Sequence, residues 1–406
     1  MASLFGPNNA GQNFGMALAW TLWWPLLPLS FLFLGRFWCA ICPFTWITDG
    51  VQKTVGVQLP APPRLRRYGV WLIGGLFLLV SYLDEAWRFD SDARKTGCLL
   101  LAILGAVVFF AAFFERRTFC RYFCFIGAFA ANYSRAGVLE LRAAADRCGD
   151  CPTQGCYRGT TGASGCPVSL FAPSVDDSST CTLCANCVKN CPREAIRITI
   201  RRPAAELWNI HQPRLSDALL ALIMAGVVLL EQSAAAGGAA LPVDPLASTW
   251  LAYAAVFAMF VAAPILGLAS ASLGSAILSR DISIASWKRD FSLFGYAVIP
   301  LALAGHAAYA IDRLLSWSRM VPFALAATIG CFPENNHPAW LPRQAVLWIE
   351  LAVLVSGGAA ALYTGYRLAR RRGHGSVWAA YAPHALLLLS LLAANLQVII
   401  GLMRQR

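Results

Sequence analysis

Eight cysteines between residues 148 and 191 have the spacing best suited to chemistry in this chain. The run Cys181-Thr-Leu-Cys184-Ala-Asn-Cys187-Val-Lys-Asn-Cys191-Pro192 follows C-x2-C-x2-C-x3-C-P. In that spacing three thiolates wrap one face of a [4Fe-4S] cubane, and a fourth, turned away beside a proline, serves a second cluster. Upstream lies a stretched counterpart, Cys148-x2-Cys151-x4-Cys156-x9-Cys166-Pro167. Pseudo-symmetry then assigns Cys148, Cys151, Cys156 and Cys191 to one cluster, and Cys181, Cys184, Cys187 and Cys166 to the other. The chemistry of such a pair is one-electron transfer. Two structural zinc sites or a set of disulfides are the alternatives. Zinc ribbons usually use two separated C-x2-C knuckles, so three thiols at successive x2 gaps favour clusters.

The elements that must position these thiols are dominated by lipid-compatible sequence. Of 406 residues, 58% are hydrophobic and 13% charged, the composition of a polytopic membrane protein. Stretches able to cross a bilayer as helices, each needing about 20 residues, are Met16 to Leu34, Tyr68 to Leu83, Cys98 to Phe114, Ser216 to Leu230, Thr249 to Ser270, Phe291 to Ile311, Val346 to Leu368 and Tyr381 to Met403. The formal charge of +12 reads as topology, not as a nucleic-acid footprint. Arg36, Lys53, Arg64, Arg66 and Arg67, then Arg116, Arg117 and Arg121, then Arg280, Lys288 and Arg289, and finally Arg370 to Arg372 follow alternate spans. Positive-inside bias places the cysteine-rich segment in the cytoplasm of a bacterial inner membrane and both termini outside. A reducing cytosol keeps thiols available for cluster assembly. The N-terminus has no basic region before its first apolar stretch, so no removable signal peptide is expected.

The resulting organisation has three parts. Residues 1–137 form a three-span membrane part, residues 138–203 a soluble insert, and residues 204–406 a five-span membrane part. The expected fold class is an all-α polytopic membrane protein of eight transmembrane helices with an inserted small α+β 2[4Fe-4S] ferredoxin domain of the bacterial type. Ala195 to Ile200 reads as a short strand closing that insert. Two more cysteine pairs, Cys39/Cys42 and Cys120/Cys124, fall at span ends on the same expected face. Together they have the ligand number for a third cluster or a soft metal such as Cu(I) or Zn. The simpler alternative is four free thiols packed against the insert.

At these pairs the chain resembles the membrane polyferredoxin family of NapH-, NosR- and CcoG-type proteins, accessory to nitrate reductase, nitrous-oxide reductase and cytochrome oxidase. The likeness rests on Gly35, Arg36, Cys39, Cys42, Pro43, Cys120, Arg121, Tyr122 and Cys124, followed by the ferredoxin-type insert. It covers residues 16 to 203. Two residues separate Cys39 from Cys42 where the family has three, and Phe125 stands where it often has proline. The resemblance implies a quinol or cytosolic electron donor and a partner respiratory or accessory redox enzyme. Its oxidase-accessory branch implies the rival role of a copper reductase or assembly factor; a redox-sensing or structural anchor is the third reading.

Beyond the cysteines, His306 and His384 are the intramembrane histidines, set at depths of roughly 22 Å and 5 Å from the same membrane face. Such a pair is ill placed to share one haem iron, and haem is not expected. His306 can instead form a polar helix contact or meet a quinone head group. Cys331 and His337, with Glu334 between them, lie in a long loop and are candidates for a metal or docking site. Glu231, Glu350 and Asp217, at span ends, read as interfacial anchors or as carboxylates that reach solvent. No nucleophile–base pair, phosphate loop or flavin fingerprint stands out, so the expected role is that of an electron-transfer component of an oxidoreductase complex.

Overall fold

The computed structural model describes residues 2–8, 10–210, 212–235, 250–331, 339–373 and 375–404. Among these, eight helices are long and apolar enough to cross a membrane: Phe14–Thr54, Pro63–Trp87, Ala93–Phe113, Leu215–Ala235, Trp250–Leu278, Ile284–Trp317, Arg343–Arg371 and Val377–Met403. Each contains an apolar stretch expected from the sequence. The helices overrun those stretches because a backbone in lipid must bond internally, so helical structure continues through the polar ends.

The first span is the least regular. Ala17–Trp23 is π-helical, Trp24–Leu34 is α-helical around Pro28, and Gly35–Phe37 is a 3-10 turn. Gly35 takes φ +55, a left-handed conformation that a side chain would resist. Cys42 is extended (φ −58, ψ 132), as expected of a residue before proline, and Pro43 opens the next helical segment. These two interruptions bracket a single helical turn, Trp38–Ile41, that carries Cys39.

Contacts group the chain into two compact units: residues 1–29 with 78–100 and 211–406, and residues 30–77 with 101–210. The core of the first unit is the sixth span, Ile284–Trp317, of whose apolar window 89% is buried. Small residues allow this density. A Cβ at Gly295 would collide with Ala218, and one at Gly357 with Ala304, the close backbone approach by which helices associate where no hydrophobic force drives them. Asp217, Glu231 and Glu350 are not the solvent-reaching anchors expected. Asp217 is buried and accepts a 3.0 Å hydrogen bond from the Tyr296 hydroxyl. Glu350 is buried 3.7 Å from Arg343. Asp217 and Glu350 lie within their apolar stretches and are covered by packed neighbours, whereas Glu231 is drawn inside because its helix continues to Ala235.

The second unit packs Phe129 against Phe31 at 5.7 Å and Tyr133 at 4.7 Å between ring centroids. From this aromatic base rises a two-stranded antiparallel sheet, β1 (Leu139–Ala143) and β2 (Ile196–Ile200), with Leu141 opposite Ile198. β2 lies where the alternating run after Cys191 predicts it. The strands bring the two ends of the 138–203 segment together, and Arg201 fastens them. Its guanidinium donates to the carbonyls of Gly137, Ser134 and Arg135 at 2.9–3.2 Å and pairs with Glu206. Glu206 in turn accepts from the Ser178 amide and hydroxyl at 2.8 and 2.9 Å.

Both members of the Arg201–Glu206 pair are buried, at 6% and 4% side-chain exposure. Removing Arg201 leaves Glu206 buried and charged without its ion-pair partner, a loss of about 3–5 kcal/mol. Arg201→Met is therefore expected to open the 138–203 segment to limited proteolysis and to lower its melting temperature, while the eight spans keep their helical circular dichroism.

Candidate functional site

The thiol loops depend on backbone that ordinary residues avoid. Leu183 and Ala185, between successive cysteines, have φ of 53 and 60, and Gln154, Ser169 and Glu194 are also left-handed. Each such non-glycine residue costs on the order of 1–2 kcal/mol. Clustered in loops, they wind the chain around a centre and aim side chains inward. Gly155 is needed for a different reason. A Cβ there would lie 2.7 Å from the Asn190 carbonyl oxygen, where the two cysteine runs cross.

Two cavities result. One is lined by Cys148, Cys151, Cys156 and Cys191, with Phe171 and Ile196 among its apolar walls. The other is lined by Cys166, Cys181, Cys184 and Cys187, with Leu141, Val175 and Leu183. Each takes three thiols from one run and the fourth from the other. Between them lies an apolar core of Leu141, Ala172, Leu183 and Ile196, against which Phe37, Cys181, Cys187 and Cys191 pack. Among the described residues no three His, Cys, Asp or Glu side chains close on a point suited to one metal ion. Four thiols around a cavity instead suit a polynuclear centre, whose ligands bind at separate corners.

Charge and burial tell the same story. Burial pushes the Cys181 thiol up to about 11 and Cys187 up to about 12, with neighbouring cysteines adding to the effect at Cys187. Burial also raises Cys166, although the amides of Leu170 and Val168 hydrogen-bond its sulfur. Thiols so placed become thiolates when a cationic centre supplies the compensating charge. The Ala195 amide donates to the Cys191 sulfur at 3.3 Å, the kind of contact that tunes a cluster potential.

The four membrane-edge cysteines come together as well. Cys120 feels the charges of Cys39 and Cys42, and Cys124 those of Cys120, Cys39 and Cys42. Burial lifts Cys120 to about 12 and Cys124 higher still. Two buried arginines flank the set. Arg117, itself left-handed at φ 62, donates to the Cys39 carbonyl at 3.3 Å and pairs with Asp49 at 3.1 Å. Arg36 donates to the Ser179 carbonyl, and its charge reaches both Cys120 and Cys181.

Sequence reasoning passed over Arg36, Arg117, Asp49 and Asn190 as site components. Asn190 is buried, accepts from Thr160 at 2.5 Å and donates to the Ser164 carbonyl at 3.0 Å. Only the offset of one residue from Cys191 signalled it. His384 is engaged at both nitrogens, with Ala380 at 2.6 Å and Ser272 at 3.3 Å, and stacks on Phe294 at 3.7 Å. Cys331 is exposed, and His337 lies outside the described residues.

A family model described as a 4Fe-4S binding domain matches residues 16–62 and again residues 96–142. The two copies cover less than a quarter of the chain and carry Cys39/Cys42 and Cys120/Cys124 respectively. They are consistent with a polyferredoxin and imply iron–sulfur electron transfer in a protein whose eight apolar helices mark it as membrane-embedded. No curated protein and no solved structure matches the chain.

Replacing Asn190 with alanine removes both side-chain links across the crossing and is expected to cost about 1–3 kcal/mol locally. The measurable consequence is faster bleaching of visible absorbance by an iron chelator than in the unaltered protein.

Proposed function

We propose that the chain is a membrane-bound iron–sulfur electron-transfer protein built on an inserted α+β ferredoxin domain. Cys148, Cys151, Cys156 and Cys191 hold one [4Fe-4S] cluster there, and Cys166, Cys181, Cys184 and Cys187 the other. Cys39, Cys42, Cys120 and Cys124 hold a third at the membrane edge. When bound, these groups supply one-electron exchange between a donor and a partner redox enzyme. The observation that carries the reading is the exchange of the fourth thiol, since each cavity is completed by a cysteine from the opposite run. A pair of independent zinc knuckles has no need of that crossing.

The chain's own residues set the conditions. Arg36, buried between reach of Cys120 and Cys181, offsets thiolate charge on both. Phe37, Leu141 and Leu183 keep water from the space between the thiol-lined cavities. The distribution of Lys and Arg supports a cytoplasmic insert, and Lys189 and Arg197 offer positive charge for docking an electron-carrying partner. The resemblance to membrane polyferredoxins supports a quinol or cytosolic donor.

Protein isolated without oxygen is expected to contain about twelve iron and twelve sulfide, four per cluster. Cys148→Ser, Cys184→Ser and Cys120→Ser should each remove about a third of the iron and one low-temperature EPR signal. Colourless, iron-free material overturns the reading; a count near eight that Cys120→Ser leaves unchanged removes the membrane-edge cluster. Reduction of the clusters by a quinol analogue supports the quinol branch. Their copper-dependent oxidation instead indicates the reductase role.

A further inference from the structure

Glu231 and His306 lie in the unit that contains none of the twelve thiols assigned above. Glu231 sits on the fourth span, Leu215–Ala235, roughly 24 Å along the helix from its first residue. His306 sits on the sixth and is 4% exposed. Its Nδ1 lies 3.2 Å from the Ala302 carbonyl oxygen. A carbonyl only accepts, so Nδ1 carries the hydrogen and Nε2 of the neutral ring presents a lone pair. That atom faces Glu231 Oε2 at 3.9 Å, and no protein group donates to this oxygen. Two acceptors placed face to face repel unless one of them is protonated or a bridging donor stands between.

A second observation points to the same place. Tyr253 on the fifth span is 3% exposed, and its hydroxyl has no hydrogen-bond partner. The charges that act on it are those of Glu85, Glu231 and Asp84, with the Tyr82 hydroxyl beside them. Asp84 contributes another buried oxygen without a donor. Next to His306, the Gly305 carbonyl accepts from Gln232 at 2.8 Å, while the side-chain oxygens of Gln232 and Asn395 find no donor. Buried acceptors are normally satisfied, so this concentration of bare oxygens on converging helices marks a place built for a positive, hydrogen-donating ligand.

The edge of the cluster is charged and partly open. Arg313, whose charge reaches Glu231, donates to the Tyr309 hydroxyl at 2.7 and 3.1 Å and lies 3.5 Å from Asp90. Arg313 and Asp90 are each 27% exposed at the side chain. Arg88 pairs with Asp90 at 3.7 Å. The guanidiniums are thus engaged at the rim, and the carboxylate of Glu231 is left to the imidazole.

We propose that Glu231 and His306 form a proton-binding site within the membrane domain, completed by Asp84 and Tyr253 and reached from water past Asp90 and Arg313. The ligand is a proton delivered as hydronium: Glu231 gains the O–H, donates it toward His306 Nε2, and water leaves. Ionisable groups inside a membrane domain are commonly proton relays, and this pair gives the five C-terminal spans a chemistry of their own. The proposal does not rest on the clusters.

Infrared difference spectroscopy of the full-length protein in liposomes, titrated in pH with the redox state held oxidised, tests it. The expected result is a carbonyl stretch of a protonated carboxylic acid that shifts in D2O. It should disappear in Glu231→Gln and persist in Glu231→Asp. In His306→Gln it should persist with its midpoint displaced by about one pH unit or more, about tenfold in proton affinity. A difference spectrum in Glu231→Gln identical to that of the parent overturns the site, as does a midpoint that His306→Gln leaves in place. If Glu231→Gln fails to fold, the Glu231→Asp and His306→Gln midpoints decide alone. Cluster absorbance, read in the same samples, reports separately on the electron-transfer reading.

Discussion

A segment as short as the one between Gly137 and Arg201 cannot bury enough carbon to hold its own shape, and this constraint governs the second unit. Its stability is assembled from two other sources. At its base, Arg201 collects three carbonyls and a carboxylate, so that the chain's entry and exit are fixed together. At its centre, loops with left-handed Leu183 and Ala185 turn thiols toward cavities lined by apolar side chains. The backbone strain and the raised thiols are both costs that a cationic inorganic core, held by those thiols, would offset. Apolar packing alone would have no use for either.

The same logic extends to the membrane edge. Cys39 and Cys42 reach their positions because Gly35 and Pro43 interrupt the first span on either side of them. Cys120 follows left-handed Arg117 at the start of a short helix, Thr118–Tyr122. Irregular backbone at the end of a lipid-embedded helix requires other groups to satisfy the freed polar atoms. Arg117 does so at the Cys39 carbonyl, and Arg36 from the first span ties down the Ser179 carbonyl of the insert. Two buried guanidiniums beside four thiols partly offset the cost of thiolate charge there, though burial outweighs them. The match of both segments to a 4Fe-4S binding domain includes these irregular places and ends before the first cysteine of the insert.

Much of this was legible in the chain because the signals are local. Hydropathy alone located eight apolar stretches that become the eight long helices, and the C-x2-C-x2-C-x3-C-P spacing separated Cys191 from its neighbours in advance of any coordinates. The alternation after Cys191 gave β2. What could not be read was pairing over distance. Arg36 donating to the carbonyl of Ser179, or Asn190 joining Thr160 to Ser164, joins residues whose sequence separation carries no periodic signal. The span-end acids failed for a related reason. Extending the fourth helix beyond its apolar stretch moved Glu231 from expected water into the packed interior, while Glu350, already inside the seventh stretch, meets Arg343 there instead of solvent.

Two ionisable groupings within the first unit show why burial by itself is a poor guide to function. Asp290 is fully buried yet accepts from Ser275 at 2.8 Å and pairs with Arg372 at 2.9 Å, while Arg372 also donates to Ser279 and Ser286. Arg289 lies 3.8 Å from the other Asp290 oxygen. Opposite charges and hydroxyls meet there, so the grouping balances its own charge across the fifth, sixth and seventh spans, although Asp290 Oδ1 and Arg372 Nε make no hydrogen bond. Around Glu231 the arrangement is inverted: acceptors face an imidazole lone pair, a phenol and a second carboxylate, and the guanidinium is tied up at the rim. A structural ion pair closes its own charge balance. This one needs a proton from outside the chain, and that imbalance distinguishes a binding site from a buried brace.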